Sequence, residues 1–201
     1  MPSAGQNIRV RFGGQLRFHG LLIAPGGAPI AHGQVTVDEV IPGWFSGQVA
    51  VLSTNARGAF VYHAPAGPSR SLTFTFAGAP GAGGATREIA VAVRSRAVVH
   101  MPSAVRVGQR VRIWGQVLGG YVPAGGVKVQ LQYRVIGVAD GWKQFGHPIR
   151  CNGSGRWAAS PGRWLAASGG YTYQVRAVIR SGPAWPFAGS VSAPVTRYVA
   201  G

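Results

Sequence analysis

The segment Thr54-Asn55-Ala56-Arg57-Gly58-Ala59-Phe60 has a counterpart in the second half of the chain, Cys151-Asn152-Gly153-Ser154-Gly155-Arg156-Trp157. In each copy an asparagine precedes a glycine by three residues, and an aromatic residue follows that glycine by two. Asparagine side chains accept hydrogen bonds inside tight turns, and glycine adopts the positive φ angles that such turns need. We therefore expect Asn55, Gly58, Asn152 and Gly155 to form the same turn between two strands in each half.

Other segments repeat around this motif with an offset of about 94 to 98 residues. Residues 14–20 correspond to residues 108–115, and Trp44 and Trp142 follow at matching places. Self-similarity at a fixed spacing is typical of tandem structural units. The sequence therefore predicts two units, residues 1–96 and residues 97–201.

Within each unit, apolar and polar residues alternate with a period of two. The alternation is clean in residues 71–76, 127–135 and 171–176, and turns such as Pro42-Gly43 separate the runs. The period of 3.6 that marks an amphipathic helix is absent from the sequence. About seven short alternating strands in 100 residues are typical of an antiparallel β-sandwich. We expect an all-β protein; a closed barrel fits the unit length less well.

The order of these motifs, ending in Asn-x-x-Gly-x-Phe/Trp, resembles bacterial immunoglobulin-like modules. The similarity is to the prealbumin-like or carboxypeptidase-regulatory-like type, which occurs in tandem on actinobacterial exported proteins. It covers nearly the whole chain and implies two consecutive immunoglobulin-like antiparallel β-sandwich domains. In that family an aspartate usually begins the turn, whereas Asn55 and Asn152 stand here. The resemblance implies a spacer, an adhesion module or an accessory domain of a larger secreted hydrolase.

The chain is strongly basic. It has 20 Lys and Arg residues against 4 Asp and Glu, a formal net charge of +16 and a pI near 11.7. Such a field attracts anionic wall polymers, acidic polysaccharides or nucleic acids. Compositional bias is the alternative, since Lys128 and Lys143 are the only lysines and the arginines are dispersed.

Several basic and aromatic residues of the second unit are candidates for binding a polyanion. The arginines alternate with apolar residues and should line exposed sheet faces, where they could equally protect strand edges. Trp142 could stack on a sugar or a base, cap the core or form an interface, and the same alternatives apply to Trp164 and Trp185. The candidates are Arg110, Arg112, Arg134, Arg176, Lys128, Lys143 and Trp142.

The composition argues against catalysis and cofactors. Four carboxylates, among which only Asp38 and Glu39 are adjacent, offer no pair facing one bond and too few ligands for calcium. The five histidines are widely spaced, and Cys151 is the only cysteine, which excludes an internal disulfide. We expect no enzyme activity, no cofactor and no metal site.

The sequence lacks a signal-peptide-like stretch and any apolar run of membrane-spanning length. Together with the resemblance, this predicts a trimmed fragment of an exported or cell-surface protein with no transmembrane segment. Self-association through unpaired strand edges is a further possibility.

Overall fold

The computed structural model of the protein describes residues 6–160 and 170–201. These residues form 17 β-strands and no helix, so the protein is all-β. The chain divides into two compact units, Met1–Arg94 and Ser95–Gly201. Trp164 lies outside the described residues.

The first unit contains two sheets. Its strands are β1 (Gln6–Val10), β2 (Leu16–Leu21), β3 (Gln34–Ile41), β4 (Phe45–Ser53), β5 (Ala59–Ala64), β6 (Arg70–Phe76) and β7 (Ala85–Val93). One sheet has the order β1-β7-β6-β3-β4, and β2 pairs with β5 in the other. The inward residues of β6 alternate with outward ones, so that Leu72, Phe74 and Phe76 are buried, and Phe74 contacts Phe18 and Tyr62 of the second sheet.

The second unit repeats this plan with one strand more in its smaller sheet. Its strands are β8 (Arg96–His100), β9 (Val105–Arg106), β10 (Ile113–Leu118), β11 (Lys128–Val135), β12 (Lys143–Gln144), β13 (Ile149–Arg150), β14 (Arg156–Ala159), β15 (Tyr171–Ile179), β16 (Ser190–Val191) and β17 (Val195–Ala200). The smaller sheet has the order β14-β10-β8, and the larger sheet has the order β12-β11-β15-β17-β9. β13 also pairs with β11, and β16 pairs with β15.

In each unit the chain crosses repeatedly between two sheets, and these sheets enclose the apolar core of that unit, as in immunoglobulin-like sandwiches. The pairing is antiparallel except at one pair in each unit: β1 runs parallel to β7, and β9 runs parallel to β17. Alternation alone does not distinguish parallel from antiparallel partners. The closed-barrel alternative does not describe either unit, because each has two separate sheets.

The repeated asparagine turns have nearly identical geometry. Asn55 Oδ1 accepts hydrogen bonds from the backbone N–H groups of Arg57 and Ala59, at 2.9 and 3.0 Å. Asn152 Oδ1 accepts from the N–H groups of Ser154 and Arg156, at 3.1 and 2.9 Å. The neutral amide oxygen therefore performs the acceptor role for which a carboxylate is usual in the resembling modules.

The glycine of each turn packs directly on the neighbouring strand. Gly58 and Gly155 have φ angles of 73° and 77°, and a Cβ at either would overlap the carbonyl oxygen of Leu22 or Val117. A backbone hydrogen bond of 2.8 Å holds each glycine against that strand, because Leu22 N donates to Gly58 O and Val117 N donates to Gly155 O. Close approach and left-handed backbone therefore both require glycine.

The other repeated glycine makes room for the aromatic residue of the motif. Gly20 lies opposite Phe60, and Gly115 lies opposite Trp157. A Cβ at either glycine would fall inside the facing ring. Trp157 is buried, as expected for the counterpart of Phe60. The glycine-aromatic pair thus explains why these residues recur together.

Candidate anion-binding face of the second unit

The register between β11 and β15 places two arginines and two glutamines on one sheet face. Gln132 lies opposite Arg176, and Arg134 lies opposite Gln174. The alternate residues of the same strands face the core, where Leu131 and Val175 are almost completely buried. The solvent face is therefore fixed by the apolar face behind it.

Neutral amides hold the two guanidinium groups. Arg134 Nε donates to Gln174 Oε1 at 2.8 Å, and Arg176 Nε donates to Gln132 Oε1 at 2.9 Å. Gln174 Nε2 in turn donates to Thr196 Oγ1 on β17 at 3.2 Å. Each arginine is oriented through one nitrogen by a partner that brings no negative charge.

Trp142 brings the two arginines together. It precedes β12, and the centroid of its indole ring lies 3.9 Å from the guanidinium carbon of Arg176 and 4.9 Å from that of Arg134. Cations bind the electron-rich face of an indole. Because Arg176 covers a face of the half-buried ring, Trp142 orients the arginines, and that face is closed to a sugar or base.

The charges of this cluster are uncompensated. In the described part of the chain the carboxylate ion pairs are Glu39 with Arg70 and Asp140 with Lys143, and neither involves Arg134 or Arg176. Partial burial, and then the charge of Arg134, lower the pKa of Arg176. Both causes disfavour a guanidinium cation, and the negative charge of an anion bound between the two groups would offset that cost. We call Arg134, Trp142 and Arg176, with Gln132 and Gln174, the arginine cluster.

The other predicted residues lie elsewhere. Lys143 lies opposite Tyr133 in the β11–β12 pair. Its ammonium group is bound to Asp140, whose hydrogen bond and charge raise the pKa of the lysine. Lys128 begins β11, six residues from Arg134 and hence about 20 Å along the strand. Lys128 and Lys143 therefore do not join the arginine cluster.

Arg110 and Arg112 lie in the segment before β10, which belongs to the opposite sheet. The sequence predicts a strand over 110–113, but β10 begins at Ile113. The chain turns just before, where Gly108 has a φ of 74° and Gln109 N donates to Arg106 O. Both arginines are exposed, as expected, but on a different face from the arginine cluster.

A second basic and aromatic surface lies on that opposite sheet. Trp114 is 40% exposed and stacks on His100, with ring centroids 6.0 Å apart. Arg112 and Arg156 line the same shallow depression of about 430 Å³. Arg156, Trp114, Gln132 and Gln174 are not among the residues predicted from the sequence. The Gln-x-Gln-x-Arg alternation of β11 and the Gln-x-Arg alternation of β15 do mark the two glutamines as neighbours of arginines.

Trp185 caps the core of the second unit. Its side chain is buried against Phe187, and its Nε1 donates to Gly120 O at 3.3 Å.

Cys151 is also buried, and its Sγ accepts the Val127 N–H at 3.2 Å. Thr54 occupies the matching place in the first unit, where its Oγ1 accepts the Gly33 N–H at 2.8 Å. Cys151 and Thr54 therefore have the same structural role, which is to accept a backbone hydrogen bond inside their unit.

Within residues 6–160 and 170–201, no group of three or more His, Cys, Asp or Glu side chains could hold a metal ion. The same residues contain no helix with the length and apolar character needed to span a bilayer.

Comparisons with known proteins give structural similarities alone. Neither a family model nor a curated protein sequence matches the chain. A marsupial T cell receptor aligns with a TM-score of 0.41 and 8% identity, over 98% of this chain and 71% of that one. An ICAM-5 D1–D4 ectodomain fragment aligns with a TM-score of 0.42 and 16% identity, over 98% of this chain and 50% of that one. Fibronectin(III)-like modules of Clostridium thermocellum CbhA align with a TM-score of 0.30 and 13% identity, over 98% of this chain and 90% of that one.

Proposed function

We propose that the protein is a non-catalytic module of an exported or cell-surface protein, and that it binds an anionic wall polymer or acidic polysaccharide through the arginine cluster. The proposal rests on one observation. Two guanidinium groups converge over Trp142 without a carboxylate partner among the described residues. Phosphate, sulfate and carboxylate groups form strong charge-assisted hydrogen bonds with such pairs.

A polymer fits this surface better than a single small anion. The cluster is open, and Arg112 and Arg156 lie on the other sheet of the same unit. A chain carrying regularly spaced charges can contact several exposed arginines, and each contact adds affinity and salt dependence. Because Arg176 covers a face of Trp142, the proposed contacts are made through charge and not through stacking, which argues against a single-stranded nucleic acid and suits the charged groups of an acidic glycan or wall polymer.

The test is a binding titration from about 50 to 300 mM salt, the range in which phosphate contacts reveal themselves. The probes are a teichoic acid-like polymer, an acidic glycan, duplex DNA and single-stranded DNA. We expect one of the first two to bind most tightly and to retain binding at the higher salt. Arg134→Gln or Arg176→Gln should each weaken that binding by about tenfold or more, since a hydrogen bond to a charged group contributes about 1.5–3 kcal/mol. Arg106→Gln removes one exposed charge from the same unit and is the matched control.

Two further variants separate a specific site from general charge attraction. Gln132→Glu gives Arg176 an internal carboxylate while keeping every arginine, so it should weaken binding at least as much as Arg176→Gln without lowering stability. Arg176→Lys keeps the charge but loses the planar contact with Trp142, and it should also weaken binding. Equal losses in Arg106→Gln and Arg176→Gln, or binding of every probe that vanishes with salt, would contradict the proposal. A preference for single-stranded DNA would replace it with nucleic-acid binding.

A further inference from the structure

The smaller sheets of the two units differ by one strand. In the second unit β8 pairs with β10, so that Val99 lies opposite Gly115 and Ala97 lies opposite Val117. Val99 and Ala97 are each 6% exposed and contribute to the core. In the first unit β2 is the counterpart of β10, because its Gly20 faces Phe60 as Gly115 faces Trp157. Among the described residues, β2 pairs with β5 alone.

Within residues 6–160 and 170–201, no strand pairs with the edge of β2 that faces away from β5, and we call this the free edge. Leu22 N donates to Gly58 O at 2.8 Å, on the β5 side. In an antiparallel pair, alternate residues direct their N–H and C=O groups to opposite edges. The groups of Arg17, His19 and Leu21 therefore point away from β5. The residues of β10 that match His19 and Leu21 are Trp114 and Gln116, which pair with His100 and Val98 of β8.

A groove of about 610 Å³ lies beside this edge. Its walls include Phe18, Phe60, Phe74, Phe76 and Ile89, which belong to both sheets. Leu21, at the rim, is 59% exposed. In the second unit, inward side chains of β8 occupy the corresponding layer between the sheets.

Positive charge surrounds the groove. Arg87 lies opposite Phe74 in the β6–β7 pair and so shares its inward-facing side, yet Arg87 is exposed. Arg17 and His19 line the groove from β2. In the described part of the chain, neither Arg17 nor Arg87 forms an ion pair with a carboxylate. An occupant that brings acidic groups is complementary to this rim, whereas a second copy of this +16 chain adds further positive charge.

From this internal comparison we propose that the free edge of β2 accepts an extended acidic segment of another protein. The segment pairs antiparallel with β2, directs small apolar residues into the groove as Ala97 and Val99 of β8 do in the second unit, and presents acidic residues on its outward face to Arg17 and His19. Main-chain hydrogen bonds supply the affinity of such strand addition, and the alternate side chains supply the specificity.

The probe is a synthetic peptide with the sequence of residues 95–103 carrying Arg96→Glu and His100→Glu. It is titrated into the full chain and followed by backbone amide NMR and hydrogen exchange. We expect one bound peptide per chain, with the amides of Arg17, His19 and Leu21 becoming protected. The unmodified peptide should bind about tenfold more weakly, because it lacks the charge-assisted contacts. Adding Val99→Asp to the acidic peptide should abolish binding, since that side chain faces the groove.

Variants of the protein locate the site. Leu21→Pro removes an N–H group from the free edge, where proline is tolerated, and should abolish peptide binding. Arg17→Gln should weaken the acidic peptide about tenfold and should not weaken the unmodified peptide. Arg57→Gln, a charge change in the exposed turn of the same unit, is the matched control.

Four results would overturn the proposal. The first is protection of the Arg17, His19 and Leu21 amides in the protein alone, because the edge would then already be paired. The second is unchanged peptide binding by Leu21→Pro. The third is displacement of the peptide by dodecyl phosphate, with dodecyl phosphate binding as tightly as the peptide, which would assign the groove to a lipid-like anion. The fourth is a dimer, seen by sedimentation, that the peptide does not dissociate.

Discussion

The substitution Gly115→Ala tests the explanation of the repeated glycine-aromatic pair. Gly115 lies in β10 between β8 and β14, and an alanine Cβ there would lie within 3.0 Å of Val98 O and of two carbon atoms of the Trp157 ring. Neither neighbour can yield easily, because Val98 is part of a paired strand and Trp157 is 5% exposed. Overpacking of a core typically costs about 1–3 kcal/mol for each such insertion.

Two clashes in one place should therefore lower the free energy of unfolding by about 3 kcal/mol or more. The smaller gain from removing glycine's freedom in the unfolded chain, roughly 0.5–1 kcal/mol, offsets part of this cost. The assay is urea unfolding followed by tryptophan fluorescence. Gly153→Ala is the matched control, because a Cβ at Gly153 meets no atom within 4 Å. If the two variants differ by less than about 1 kcal/mol, the close packing at Gly115 is not what requires a glycine there.

The buried ion pair of the first unit supports two further predictions. Arg70 Nε lies 3.2 Å from Glu39 Oε2, with side chains 4% and 13% exposed, so Arg70→Met should cost about 3 kcal/mol in urea unfolding by leaving a buried carboxylate unpaired. Adding Glu39→Leu should recover most of that loss, and no recovery would mean that Arg70 acts through its packing and its hydrogen bonds to Pro65 O and Pro68 O. Burial, and then the charge of Glu39, raise the pKa of Tyr62, so the folded state holds the phenol proton more tightly than the unfolded chain. The thermal stability that this contributes is present below the ordinary tyrosine pKa of 10.0 and is lost as pH rises through the folded value. Melting temperatures from about pH 8 to 11 should therefore fall less steeply in Tyr62→Phe than in the parent protein, and parallel curves would contradict the assignment.

Local chemistry explains which features could be predicted from the sequence. The asparagine and glycine of each turn act within five residues of one another, so their spacing is sufficient to predict the turn. Alternation predicts that Arg134 and Arg176 point outward, because the core requires the other face. That these two arginines share one indole depends on the register of β11 with β15 and on the position of Trp142, which no local pattern encodes. The parallel pairing of β1 and the free edge of β2 are likewise decided by distant segments.

The shortage of carboxylates has a physical consequence for the arginine cluster. On an ordinary protein surface, an arginine that binds an external anion must first give up an internal carboxylate, and that exchange reduces the net gain. Residues 101–201 contain 12 Lys and Arg residues but only one acidic residue, Asp140, and Asp140 is already bound to Lys143. The glutamines that hold Arg134 and Arg176 fix their orientation through Nε without neutralising them. An incoming anion therefore meets oriented cations for which no internal carboxylate competes. In the proposed binding, the composition therefore has a role that dispersed arginines on a chain rich in acids would not have.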